Sequence, residues 1–103
     1  MSECLFRGTT PTLKFTLPIE VSTIEDAWIT LAQNNREVLT KTLDECNASE
    51  KTITVTLTQE ETLKLACSNK TEIQLRVKTG DGKALASKIF SESTQRILKD
   101  GVI

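Results

Sequence analysis

The chain has no histidine and no tyrosine among its 103 residues. Without imidazole there is no Ser-His-Asp triad and no histidine-ligated metal centre. One tryptophan and three phenylalanines are the only aromatics. That is too few for the multi-aromatic platform on which carbohydrate-binding modules stack sugar rings. The three cysteines, Cys4, Cys46 and Cys67, are odd in number and far apart, with no Cys-x-x-Cys spacing. A zinc site wants paired ligands, and a thiolate nucleophile wants a base; neither is in the pattern. Reduced thiols are expected, with Cys4 on a first strand, Cys46 in a loop and Cys67 partly buried on a helical turn.

Charge of one sign is also missing. Thirteen basic and fourteen acidic residues leave a formal charge of −1, with no basic run. Nucleic acid is therefore not an expected partner. No apolar run approaches the length of about 20 residues that spans a bilayer, so no membrane partner is expected. Met1-Ser2-Glu3-Cys4-Leu5-Phe6-Arg7 lacks a charged start followed by an apolar stretch, so no secretory signal is expected. Residence in a cytoplasm, or assembly into a particle from there, follows as the expected location.

Carboxylates are plentiful but scattered. Glu25-Asp26, Asp44-Glu45 and Glu60-Glu61 are the adjacent pairs. Neighbours on a strand point to opposite faces, so such a dipeptide does not make an acid/base pair. Asp44, Glu45 and Glu50 lack the Asp-x-Asp-x-Asp-Gly spacing of a calcium loop. Asp81 has no ligand neighbours and reads as a turn residue. No catalytic residue, cofactor site or metal site is predicted, and an enzyme is not expected.

What the chain does have is alternation. Thr52 to Thr58 places Ile53, Val55 and Leu57 on one face and four threonines on the other, the pattern of a half-buried strand. Thr58-Gln59-Glu60-Glu61 follows as a capping box and starts a short helical turn near 58–67. Thr71 to Lys78 alternates again, with Ile73, Leu75 and Val77 inward. Gly80-Asp81-Gly82 predicts a tight hairpin. The return strand runs from about Lys83 to Phe90, with Leu85, Ser87 and Ile89 on one face.

Earlier in the chain, Leu5-Phe6-Arg7 is a short strand or an extended arm, broken at Gly8-Thr9-Thr10-Pro11. Thr12 to Leu17 is a strand with Leu13, Phe15 and Leu17 inward, ended by Pro18. Ile19 to Ile24 is a connection. Asp26 to Gln33 has apolar residues on both faces, so a central strand is predicted. Asn34-Asn35-Arg36 turns it, and Glu37 to Leu43 returns. Asp44 to Lys51 is a polar loop. Ser91 to Gln95 begins a last edge segment. Arg96-Ile97-Leu98 is a short apolar piece, and Val102-Ile103 follows a Lys99-Asp100-Gly101 turn.

About seven short strands joined by turns predict a single all-β domain over 1–103. The expected architecture is an antiparallel, immunoglobulin-like β-sandwich with one helical turn, and a small open barrel is the alternative. The candidate contacts are Trp28, which covers the core rim or meets a contact surface and for which partial burial is expected, and the terminal Val102 and Ile103.

Three stretches carry a resemblance. Arg7-Gly8-Thr9-Thr10-Pro11-Thr12, Leu57-Thr58-Gln59-Glu60-Glu61-Thr62-Leu63 and Arg96-Ile97-Leu98-Lys99-Asp100-Gly101-Val102-Ile103 together resemble small proteins encoded in prophage regions of Gram-positive bacteria, near tail genes. More loosely, the strand pattern is similar to the N-terminal sandwich domain of phage baseplate upper proteins. The resemblance implies a structural or adaptor component of a phage tail or baseplate. Its implied partners are other phage structural proteins, with a homo-oligomer as a further possibility, and its implied location is the host cytoplasm during assembly or the virion. The alternative is a small module binding a ligand, a carbohydrate or calcium through the loops at Asn34-Asn35, Asp44 to Glu50 and Gly80-Asp81. A third option has Trp28 meeting a host factor.

Overall fold

The computed structural model describes residues 4–103. Nine strands, one helical turn and two 3-10 turns follow one another along the chain. The strands are β1 (Cys4–Phe6), β2 (Thr12–Thr16), β3 (Ile24–Gln33), β4 (Arg36–Thr42), β5 (Asn47–Ser49), β6 (Thr52–Thr56), β7 (Thr71–Thr79), β8 (Ala84–Ala86) and β9 (Phe90–Gln95). The helical turn α1 covers Gln59–Thr62, and the 3-10 turns cover Val21–Thr23 and Leu43–Glu45. The protein is all-β in its coarse class, with two strands beyond the expected seven.

Two sheets form. The larger has the order β1-β9-β7-β3-β4, with β8 also on β7; the smaller has the order β2-β6-β5. Every pairing is antiparallel except β1 on β9, which is parallel. Both sheets supply one hydrophobic core. Ala27, Ile29, Leu31, Ile73, Leu75 and Val77 come from the larger, and Phe15, Ile53 and Val55 from the smaller. Ile29, Leu31, Ile53 and Leu57 are completely shielded from solvent. Each such side chain contributes about 1.5–3 kcal/mol on burial.

The strand β3 lies between β4 and β7, as its two partly apolar faces predict. Two hairpins carry the expected turn chemistry. Asn34 and Asn35 have φ of 52° and 62°, the left-handed region that asparagine tolerates. Across the second hairpin Thr79 donates its backbone N–H to Lys83, and Gly82 has φ of 90°.

The return strand differs from its expected form. β8 pairs Leu85 with Val77, but β9 pairs Phe90 with Ile73, so three residues on one side oppose two on the other. This is a β-bulge at Ser87-Lys88-Ile89. One extra residue inverts the faces that follow. Leu85 and Phe90 therefore share the inner face, and Ile89 is exposed. The bulge is pinned by Ser87, whose hydroxyl accepts from the Leu75 N–H at 3.0 Å. The Asp44–Lys51 loop also contains more order than expected, with the 3-10 turn and the short β5 inside it. Ser91–Gln95 belongs to β9, which lies between β1 and β7 and is not an edge.

Candidate interaction site

Residues 7–12, 57–63 and 96–103 are far apart in sequence and meet at one place. The Arg7 side chain is the hub. Its Nε donates to the Leu65 carbonyl at 2.7 Å, and one terminal nitrogen donates to the Leu63 carbonyl at 2.9 Å. The other terminal nitrogen donates to Asp100 Oδ1 at 2.6 Å, closing an ion pair. A planar guanidinium with several fixed donors suits this three-way bridge; a lysine could not make it. Arg7 is positioned by β1, since its N–H continues the parallel ladder to the Gln95 carbonyl.

Gly8 follows with φ of 73°, and a Cβ there would lie 2.8 Å from Ile97 Cδ1 and 3.4 Å from Leu63 Cδ2. Glycine thus lets the chain turn while the tail packs close. Thr62 is fully buried and donates to the Thr9 carbonyl at 2.9 Å. Leu57 N–H bonds to the Pro11 carbonyl at 2.9 Å. Gln59 holds Ile103 by two bonds. Its Oε1 accepts from the Ile103 N–H at 2.8 Å, and its Nε2 donates to the Ile103 carbonyl at 3.2 Å.

The tail is therefore held at Ile97, Asp100 and Ile103, while three of its apolar side chains stay exposed. Leu98 is 94% exposed, Val102 55% and Ile103 106%. Trp28 is 48% exposed on the outer face of the larger sheet, where Arg76 stacks over its ring at 5.7 Å. A shallow hollow of about 230 Å³ opens beside it, lined by Asp26, Trp28, Arg76, Lys78, Gly82 and Ala84. Trp28 and the Val102-Ile103 pair belong to different surfaces: the first sits among β3, β7 and β8, the second on α1 and the Arg7 hub.

The helix start behaves as a cap. Glu61 N–H donates to Thr58 Oγ1, and the Glu61 carboxylate accepts from the Thr58 N–H. A second capping box, Thr42 with Glu45, opens the 3-10 turn. Both carboxylates also reach Lys41, which was not singled out in the sequence. Lys41 pairs opposite the buried Ile29 and so points inward. Its Nζ lies 2.7 Å from Glu61 and 3.5 Å from Glu45. The hydrogen bond to Glu61 raises the Lys41 pKa against the effect of burial. Burial pushes Glu61 up, but Lys41 and Thr58 outweigh it and hold the carboxyl below its ordinary value. The Thr42 backbone bond does the same for Glu45. These shifts keep all three groups charged, which suits a clamp between two turns and not a proton-transfer site.

Gln33 is a second inward polar residue, and period two carries the Ala27, Ile29, Leu31 face on to it. Its amide joins the Ala66 N–H at 2.8 Å and the Ala66 carbonyl at 2.9 Å, and it reaches Thr71 Oγ1 at 3.2 Å. Thr71 and Thr94 bond to each other at 2.6 Å. This pins the connection after α1 to the larger sheet.

The loops offered as ligand sites use their own carboxylates. Asp81 bonds to the Thr79 hydroxyl and the Lys83 N–H, which lowers its pKa. Asp44 accepts from the Thr42 hydroxyl. Among the described residues no group of three or more His, Cys, Asp or Glu could hold a metal. All three cysteines are free; Cys67 is exposed, not partly buried as expected, because its turn lies outside the core. Among the described residues no helix is long and apolar enough to cross a membrane. No family model matches the chain, and no curated protein matches its sequence.

Proposed function

We propose that the chain is a non-enzymatic structural or adaptor protein of a phage or prophage tail or baseplate, built as an immunoglobulin-like β-sandwich and acting through protein–protein contacts. One observation carries the reading. The three stretches that resemble prophage proteins converge on the Arg7 hub and leave Leu98, Val102 and Ile103 exposed on a tail anchored at Asp100 and Ile103. Apolar side chains held outward by ordered main chain suit docking to another protein, because the ordering entropy is already spent. Host cytoplasm during assembly, or the virion, is the location that goes with this role.

The test is to induce the source prophage, purify particles and quantify the protein by mass spectrometry. A fixed ratio to tail proteins supports the reading; a protein left wholly in the lysate overturns it as a virion component. A second reading, a small ligand- or carbohydrate-binding module, has the hollow beside Trp28 in its favour. A thermal shift with a glycan panel and with calcium would support that reading, and none would count against it.

A further inference from the structure

Among the described residues the smaller sheet ends in an open edge, where β2 pairs only with β6. The Leu57 N–H to Pro11 carbonyl bond and the Leu17 N–H to Lys51 carbonyl bond set the phase of that ladder. With the register Leu13 to Val55 and Phe15 to Ile53, these two residues spend their backbone groups on β6. Thr12, Lys14 and Thr16 turn theirs to the open side. Beneath the edge runs a trough between the two sheets, formed by two cavities of about 330 and 630 Å³ that share Lys14, Phe15, Thr16 and Phe90. Leu75, Val77 and Leu85 continue its floor at one end, and Leu5 and Ile73 at the other, where Glu92 adds a carboxylate to the wall. The bulge in the return strand is what turns Phe90 into this trough, where its ring lies 6.3 Å from that of Phe15.

We propose that this edge and trough receive an extended strand from another protein, carrying an acidic residue opposite Lys14 and apolar residues on either side of it. The inference rests on the adaptor reading above and names its contact. A strand added to β2 completes the row of main-chain bonds at Thr12, Lys14 and Thr16. Period-two alternation then sends its residues opposite Leu13 and Phe15 down into the apolar trough. Its residue opposite Lys14 stays on the outer face. Lys14 makes no ion pair among the described residues. An acidic side chain meets this charge. A second copy of the chain does not fit. Antiparallel two-fold pairing that uses all three free residues sets Lys14 against its own copy, and like charges directly opposite destabilise a pair.

The test uses the whole protein and labelled strand peptides with a Thr-Val-Glu-Val-Thr core, against the same peptide with lysine at the centre. Fluorescence anisotropy should show the glutamate peptide binding roughly tenfold more tightly, and Lys14→Glu should reverse the preference. Lys14 is exposed, so this variant keeps the fold. Amide exchange gives the second readout. The Lys14 and Thr16 amides should exchange fast in the free protein and become protected with peptide, while those of Leu13 and Phe15 are slow throughout. Equal binding of both peptides, no binding, or protection of Lys14 and Thr16 in the protein alone through self-association would each overturn the proposal. Peptide binding by a protein absent from particles would leave the edge site standing and remove only the tail assignment.

Discussion

Two cations tie this protein together, and they do so in different surroundings. Lys41 is buried at the root of β4 and joins two capping boxes through Glu45 and Glu61. Arg7 is partly exposed and joins the connection after α1 to the tail through two carbonyls and Asp100. Burial decides what each is worth. A charge shielded from water needs its partners, and removing one leaves the other stranded. A charge at the surface is already solvated, and its ion pair contributes little. Lys41 thus holds the fold, whereas Arg7 mainly holds the presentation of a surface.

The largest effect should come from Lys41→Ala. It strands the Glu61 carboxylate, which is only 20% exposed in its side chain. We expect a loss of about 2–4 kcal/mol, below the upper range for a fully buried pair because Glu61 keeps its Thr58 cap. Urea unfolding measures it, and a loss under about 1 kcal/mol would show that the clamp is solvated. Gly8→Ala should cost less, about 1–2 kcal/mol. It places a β-carbon at φ of 73° and against Ile97. Faster amide exchange in residues 97–103 should accompany it, whereas Lys41→Ala should leave those amides as they are.

The pH dependence sharpens the contrast. Glu61 and Glu45 have folded pKa values below their ordinary ones, so they stabilise above the ordinary carboxylate range. That contribution is lost as pH falls through their depressed values. Lys41 has a raised pKa, so its contribution is full below its ordinary value of 10.5 and is lost as pH climbs through the raised one. Stability should therefore fall at both extremes. In Lys41→Ala the alkaline loss from this residue should vanish and the acid slope should flatten. An unchanged acid slope would assign that limb to other carboxylates.

Much of this organisation is legible in the sequence, and the exceptions have physical reasons. Alternation located β3, β6 and β7, and the Asn34-Asn35 and Asp81-Gly82 turns located their hairpins. The Thr58 capping box located α1. All of these are local patterns. Period two misplaces the return strand after Ser87, because a bulge inserts one residue that alternation does not register. The parallel pairing of β1 with β9 joins distant parts of the chain and leaves no local trace. Lys41 and Gln33 sit on the inward positions of their strands, but their polarity hides it, because the partners that satisfy them lie on distant turns. Of the candidate contacts, Trp28, Val102 and Ile103 were visible as apolar residues in doubtful settings. The hub that orders Val102 and Ile103 was not, since Arg7 reads as an ordinary strand-end charge.

The smallest effect tests that hub. Asp100 is 60% exposed in its side chain, so Asp100→Ala should cost no more than about 1 kcal/mol, shrinking further with added salt. Arg7→Ala should cost more, about 1–3 kcal/mol, because it also abandons the Leu63 and Leu65 carbonyls. The two variants separate the jobs of one side chain. If Asp100→Ala loosens residues 98–103 in amide exchange while the connection after α1 stays protected, the ion pair serves the tail alone. Loosening of both segments would make the tail and the connection one cooperative unit. In that case Leu98, Val102 and Ile103 owe their fixed presentation to the α1 connection as well, and a partner docking on them would stabilise the Arg7 hub from outside.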